Sequence, residues 1–256
     1  MKILIANDDG IFAEGLWALA RELSKIARVV VVAPDRERSA IGTAVTLHHL
    51  LKVQKIKPPL PEIETYAVGG TPADSVIIAL DKFIKDRVDL VVSGINQGHN
   101  LGEDVLISGT VSAALQGYLH GYSAMAISAD GAYLNDAAKL AALLAKRVAA
   151  SNLPSKIFLN VNLPDSPLAK VSRIETTWLA SRSHIDTVEE RHDGEEAYYC
   201  LVRQKANQIT DEKTDMWAIE HGNISITPLH AYFATRPSPA MLDGLYSGLL
   251  QELRKY

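Results

Sequence analysis

The residues best suited to chemistry stand in short runs directly after apolar segments. The first segment, Lys2-Ile-Leu-Ile-Ala6, runs straight into Asn7-Asp8-Asp9-Gly10. An apolar strand followed by a glycine turn places two carboxylates at the lip of a sheet, where α/β proteins bind ligands. Adjacent negative charges in one tight turn repel each other unless solvated or neutralised. Hard oxygen ligands of this kind suit Mg²⁺, Mn²⁺ or Ca²⁺. A turn in which Asp9 caps a helix and Asp8 faces water uses the same residues. The doublet therefore gains meaning from what converges on it.

Two further loops follow apolar strands. One is Ala33-Pro34-Asp35-Arg36-Glu37-Arg38-Ser39-Ala40-Ile41-Gly42, and the other runs from Ser93 to Gly102. In the second, Gly94, Gly98 and Gly102 recur every fourth residue, interleaved with Asn96 and Asn100. Glycine permits close backbone approach, and an asparagine amide oxygen is a neutral donor to a hard cation. Ser108-Gly109-Thr110 then opens a helix, where free N–H groups, hydroxyls and the helix dipole favour an anion; capping by Ser108 alone is the simpler alternative. Two aspartates offset a dication, and a hydroxyl and an amide add coordination without charge. Such a centre still accepts a phosphate dianion. Phosphate monoesters are among the slowest substrates to react unaided, needing accelerations up to ~10²¹, and a metal with a phosphoryl clamp lowers that barrier.

Other nucleotide sites fail at the residues. Asn7-Asp8-Asp9-Gly10 is not a Gly-x-Gly-x-x-Gly turn, and the chain has no Gly-x-x-x-x-Gly-Lys-Ser/Thr loop. An aspartyl-phosphate phosphatase needs an acid two residues after its nucleophile, where Gly10 stands. A receiver domain needs a later phosphoacceptor Asp, where Ser93-Gly94 stands.

The elements that must position these loops alternate. Apolar runs at 2–6, 29–33, 88–92, 124–128 and 156–161 read as buried parallel strands. Periodic segments at 13–26, 110–119, 135–149 and after Thr71-Pro72 read as helices. This alternation predicts an α/β, three-layer, Rossmann-like, doubly wound and mostly parallel sheet. The β-rich segments 44–53 and 63–68 around Lys57-Pro58-Pro59-Leu60-Pro61 read as an inserted hairpin or flap. Residues 171–226 read as a β-rich arm without helical periodicity, and 237–256 as an amphipathic terminal helix. The expected division is a catalytic core over 1–170 and an oligomerising arm and helix over 171–256.

Composition narrows the partners. With 26 basic and 30 acidic residues and a net charge of −4, the chain advertises no surface for a nucleic-acid polymer. A single cysteine, Cys200, allows no intramolecular disulfide and reads as a small filler in a strand. No run reaches the roughly 20 apolar residues that span a bilayer, and the chain opens on a core strand with no signal peptide. A cytoplasmic location without membrane attachment is expected.

Taken together, Asn7-Asp8-Asp9-Gly10, Ala33-Pro34-Asp35-Arg36 with Ser39, Gly70-Thr71-Pro72-Ala73-Asp74, Val92 to Asn96 with Gly98, Asn100 and Gly102, Ser108 to Val111 with Ala113-Ala114, Asn160-Val161-Asn162, Thr214-Asp215, Gly222 and Ser225 to Leu229 resemble the stationary-phase survival protein SurE family of metal-dependent 5'/3'-nucleotidases. The resemblance runs from end to end. It implies one Mg²⁺ or Mn²⁺ per subunit on Asp8, Asp9, Ser39 and Asn96, with Asp8, Asp9 and Asn96 catalytic. It also implies a substrate phosphate at Ser108, Gly109 and Thr110 with Asn100 nearby. Nucleoside monophosphates, short polyphosphate and a homodimer or homotetramer come with it. Ala40, Ile107 and Gln116 depart from residues common in that family, and none is an expected ligand. A non-catalytic, metal-dependent nucleotide-binding module and an oligomeric scaffold are the alternatives from other classes.

Other residues divide by context. Asp74 reads as a brace for its helix start and His48 and His49 as structural, while His99 lies within reach of a site. Asp35 to Arg38 reads as an exposed ion cluster, and Trp178, Trp217, Tyr198 and Tyr199 as core or interface aromatics.

Overall fold

A computed structural model of the protein describes residues 1–151, 155–181, 184–194, 196–205 and 211–231. The expected terminal helix over 237–256 lies outside the described residues.

Strand β1 (Lys2–Ala6) shows how the layers arise. Side chains alternate across a strand, so Ile3 and Ile5 enter one apolar cluster and Leu4 and Ala6 another. Strand β2 (Arg28–Pro34) repeats the pattern with Val29 and Val31 against Val30 and Val32. The first cluster is closed by helices α1 (Glu14–Ser24) and α4 (Leu134–Ala150), which pack on each other; the second by α2 (Pro72–Ile78) and α3 (Gly109–Leu119). Burying each such Ile, Leu or Val stabilises the fold by roughly 1.5–3 kcal/mol. The result is the expected α/β/α stack.

The remaining strands are β3 (Val53–Lys55), β4 (Glu64–Val68), β5 (Leu90–Gln97), β6 (Ser123–Ala129), β7 (Phe158–Asn162), β8 (Ile174–Thr176), β9 (His184–Asp193), β10 (Glu196–Lys205) and β11 (Ile224–Pro228). Nine of the eleven strands among the described residues form one sheet in the order β3-β4-β2-β1-β5-β6-β7-β11-β8. Strands β4, β2, β1, β5, β6 and β7 run parallel, and β11 returns antiparallel on β7. The chain moves from β1 to β2 and β4 on one side, then crosses to β5 on the other. The topological switch point is thus the crevice between β1 and β5, where open α/β sheets bind ligands.

Several expectations need correction. Strands β3 and β4 pair antiparallel as a hairpin, but β4 pairs parallel with β2 inside the main sheet, so this is the sheet's edge and not a flap. Residues 44–52 form no strand, and His48 and His49 are exposed. Strand β5 continues past Val92 to Gln97 through a register shift between Ser93 and Asn96, because Ile95 is buried and keeps the chain on the sheet. The stretch 171–226 contains a short helix, α5 (Asp215–Glu220), too short to show a helical period. Within it β8 and β11 extend the core sheet, whereas β9 and β10 pair only with each other. Cys200 is exposed on β10, so it fills no core.

A buried carboxylate stitches these parts together. Asp215, fully buried, accepts N–H groups from Gly102 (2.7 Å), Ala180 (2.9 Å) and Met216 (2.9 Å). Burial pushes its carboxyl up, and the three backbone donors oppose that shift. Replacing it with alanine strands three buried donors, each costing about 1–3 kcal/mol. Asp215→Ala should lose at least ~3 kcal/mol in urea unfolding with an unchanged m-value, and a loss near zero would contradict the stitch.

Candidate active site

The site is assembled where three strand ends meet. Loop one turns at Asn7-Asp8-Asp9-Gly10, with the Asn7 amide donating to the Gly10 carbonyl at 2.9 Å. Gly10 has φ +98°, and a Cβ there would meet the Arg36 backbone at 2.9 Å, so only glycine lets the first two loops touch. Loop two is tied on by Arg38 N–H to the Asp8 carbonyl (2.7 Å) and by Gly42 N–H to the Ile107 carbonyl (2.8 Å). Asn96 leaves the end of β5 with its amide donating to the Gly98 carbonyl at 2.8 Å, which frees its amide oxygen.

A cavity of about 360 Å³ opens there, and Asp8, Asp9, Ser39, Asn96, Asn100 and Ser108 all line it. Six of the eight expected residues are therefore brought together around one space. The other two lie behind it. Thr110 is fully buried and donates its hydroxyl to Asp8, with Asn96 Oδ1 a further 3.3 Å contact. Gly109 packs against the same aspartate, since a Cβ there would meet Asp8 Cβ at 2.7 Å. Both hold Asp8 and admit the N-terminus of α3 to close range. Ser108 caps that helix, accepting the Val111 N–H at 3.1 Å, and still borders the cavity.

The third loop is held from beneath by β7. Asn162 Oδ1 accepts the Asn100 N–H at 2.9 Å, and the Asn160 and Asn162 amides donate to the Asn100 carbonyl at 2.8 and 3.1 Å. The Asn100 amide in turn donates to Ser128 Oγ at 2.9 Å. These four contacts all come from strand residues and fix Asn100.

Sequence reasoning missed four lining groups: Glu37, Gln97, Asp104 and Arg203. Arg203 comes from β10, far along the chain; it donates to Asp104 at 2.8 Å and to Asp186 at 2.7 Å. Its signal is invisible in sequence because only the fold carries β10 to this rim. Glu37 was read as part of an exposed ion cluster, yet its carboxylate accepts the Ser39 hydroxyl at 2.6 Å beside the aspartates. Arg36 and Arg38 do not line the cavity. Asp74 closes a reciprocal capping box with Thr71, as expected, and also accepts the Thr46 N–H. Trp178 is exposed away from the cavity, and Trp217 stacks on His221 at 4.2 Å.

The electrostatics are lopsided. Burial pushes the Asp8 carboxyl up from the ordinary carboxylate range, and the Thr110 hydroxyl opposes this. Burial and the neighbouring Asp8 charge push Asp9 up to about 6. Among the described residues no three of His, Cys, Asp and Glu converge as a metal set. The available donors are instead two carboxylates with neutral amide and hydroxyl oxygens. Asp9 Oδ2 is buried without a hydrogen-bond partner among them. An orphaned carboxylate oxygen beside a second acid fits a hard dication and little else.

The comparisons follow this geometry. The family model described as "Survival protein SurE" matches residues 3–186. This chain belongs to the SurE family. It is similar to a Dehalococcoides mccartyi (strain CBDB1) protein named 5'-nucleotidase SurE, 48% identical over 99% of this chain and 98% of that one. It is also similar to a protein of the same name from Vibrio parahaemolyticus, 44% identical over 95% and 93%. The crystal structure of the SurE protein from Aquifex aeolicus superposes with a TM-score of 0.81 at 34% identity, covering 98% of this chain and all of that one. One local strain lies on the second loop: Ala40 adopts φ +53°, a left-handed conformation that a side chain disfavours.

Two outcomes are expected. Ala40→Gly should stabilise the protein by a few tenths to about 1 kcal/mol, the left-handed penalty less the glycine entropy cost, read as a raised urea midpoint. Asp9→Asn in chelator-treated protein should raise Tm relative to the unsubstituted chain in a pH-dependent way. A carboxyl raised in the folded state keeps its stability below pH 3.8 and loses it as pH rises through about 6. The gain should thus be absent near pH 4, grow through pH 6 and persist at pH 8; a pH-independent difference would contradict it.

Proposed function

We propose that this protein is a divalent-metal-dependent phosphomonoesterase that hydrolyses nucleoside 5'-monophosphates to nucleoside and phosphate. One Mg²⁺ or Mn²⁺ per subunit would be held by Asp8, Asp9, Ser39 and Asn96. One observation carries this reading. An acidic doublet with an orphaned carboxylate oxygen faces the start of α3 across the β1–β5 switch point, in a chain 48% identical to a protein named 5'-nucleotidase SurE.

A dication held there supplies Lewis acidity and counter-charge to the phosphoryl oxygens. The chain's own groups do the rest. Thr110 donates to Asp8 and fixes the direction of its carboxylate. The Ser39 hydroxyl donates its hydrogen bond to Glu37, which leaves its oxygen lone pairs for a cation. Ser108 and the first N–H groups of α3 face the phosphoryl oxygens, where pre-oriented donors stabilise charge that builds in the transition state. Arg203, braced by Asp104 and Asp186, offers a cation on the rim for the incoming dianion. Asn100, locked to β7, presents its amide beside them.

The family resemblance extends the proposal to 3'-monophosphates and short polyphosphate as further substrates. It also extends it to a cytoplasmic homodimer or homotetramer assembled through residues 171–256. No helix among the described residues is long and apolar enough to cross a membrane.

Phosphate release from AMP and GMP, with each divalent ion and with chelator, tests the reading. Release should require the metal, and Asp8→Asn should lower kcat about 100-fold or more. Unchanged turnover by Asp8→Asn at saturating Mn²⁺ would overturn it. Metal-dependent AMP binding without phosphate release would favour a binding module.

A further inference from the structure

Breaking the P–O bond of a nucleoside monophosphate leaves an electron pair on the sugar oxygen. That alkoxide is a poor leaving group until it takes a proton, and a positioned general acid contributes about 10²–10⁴-fold to such a step. The wall of the acidic cavity carries six ionisable groups among the described residues, and most are committed. Asp8 and Asp9 are the proposed metal ligands, and Glu37 accepts from Ser39. Asp104 is paired with His184 and with Arg203, at 2.8 Å each. Arg203 lines the cavity as a permanent cation, because a guanidinium does not release its proton in a protein. His99 remains.

Its ring is anchored by one nitrogen. Nε2 stands 2.6 Å from the Leu163 carbonyl, which can only accept, so this nitrogen carries a hydrogen in either charge state. Asp165 Oδ1 lies 3.3 Å from the same nitrogen and is the counter-charge to the ring when it is cationic. Leu163, directly after β7, is buried, and the His99 side chain is only 18% exposed. An imidazole whose one nitrogen is fixed by a carbonyl and a carboxylate has its second nitrogen free for proton transfer. Here that nitrogen is Nδ1, which has no hydrogen-bond partner among the described residues. In the imidazolium it holds the one proton that the anchor does not use.

We infer that His99 is the general acid of the reaction and gives its Nδ1 proton to the leaving sugar oxygen. The inference rests on the phosphomonoesterase reading and deepens it. A water oxygen forms the new P–O bond as the old one breaks. The departing electron pair takes the Nδ1 proton, and the nucleoside leaves neutral. Both protons of the water stay on the phosphate, and one of them then returns to Nδ1. Charge and ring are restored without a further reactant.

Leaving-group dependence tests this in the full chain at saturating Mn²⁺. His99→Gln keeps an amide N–H for the Leu163 carbonyl and removes the transferable proton. Its kcat for AMP should fall about 100-fold or more, while kcat for p-nitrophenyl phosphate, whose phenoxide leaves without a proton, stays within about threefold. If the Gln variant does not fold, or the aryl ester is not turned over, His99→Ala decides the matter: imidazole in solution should restore its AMP turnover at least about tenfold. Equal losses with both esters, which a positioning role alone would produce, would overturn the assignment. So would an unchanged kcat for AMP, or no rescue by imidazole. Absence of phosphate release from AMP by the unsubstituted protein is a different outcome, and it removes the phosphomonoesterase reading itself.

Discussion

Two carboxylates in successive residues, one buried and one half-buried, are costly to ionise together without a counter-charge. Like charges about 4 Å apart repel by about 4 kcal/mol in an effective dielectric of 20. The structure raises that cost by withdrawing Asp8 from water, and Glu37 adds to it. Arg203 is the one cation lining the cavity among the described residues, and it is shared between Asp104 and Asp186. A phosphate dianion entering such a space would meet net negative charge. That balance supports the proposal that a dication enters first and an anion second.

The rest of the fold can be understood as maintaining that tension. The switch in strand order opens the crevice between β1 and β5, and parallel strands buried on both faces keep it rigid. Gly10 and Gly109 remove the side chains that would hold the second loop and α3 away from the doublet. Asn160 and Asn162 on β7, with Asp215 on α5, clamp the third loop from below through its own backbone. Close backbone approach at the glycines and hydrogen bonds to the third loop's backbone pre-position the oxygens that face the cavity.

Much of this was legible in the chain. The acid doublet after β1 announced itself because an apolar strand, two acids and a glycine have few common uses together. The α3 start and the Asn96 and Asn100 loop followed from glycine spacing and helix punctuation. Thr110 shows the limit: its hydroxyl was expected at the phosphate, but a Thr at the second position of a helix can point either way, and here it is buried against Asp8. Arg203 was unreadable because its position depends on a hairpin that pairs only with itself. The edge formed by β3 and β4 was misread because a hydrophobic segment next to a Pro-rich stretch looks the same as a flap or as a sheet edge. Asp215 was seen as a motif residue without a role, since accepting three backbone N–H groups leaves no pattern in sequence.

The central claim is a charge claim, and diffraction from crystals soaked in Mn²⁺ addresses it most directly. An anomalous peak bounded by the Asp8 and Asp9 carboxylates and the Asn96 amide oxygen is the result expected. Soaked crystals with ordered manganese elsewhere and none beside the doublet would contradict the account at its root.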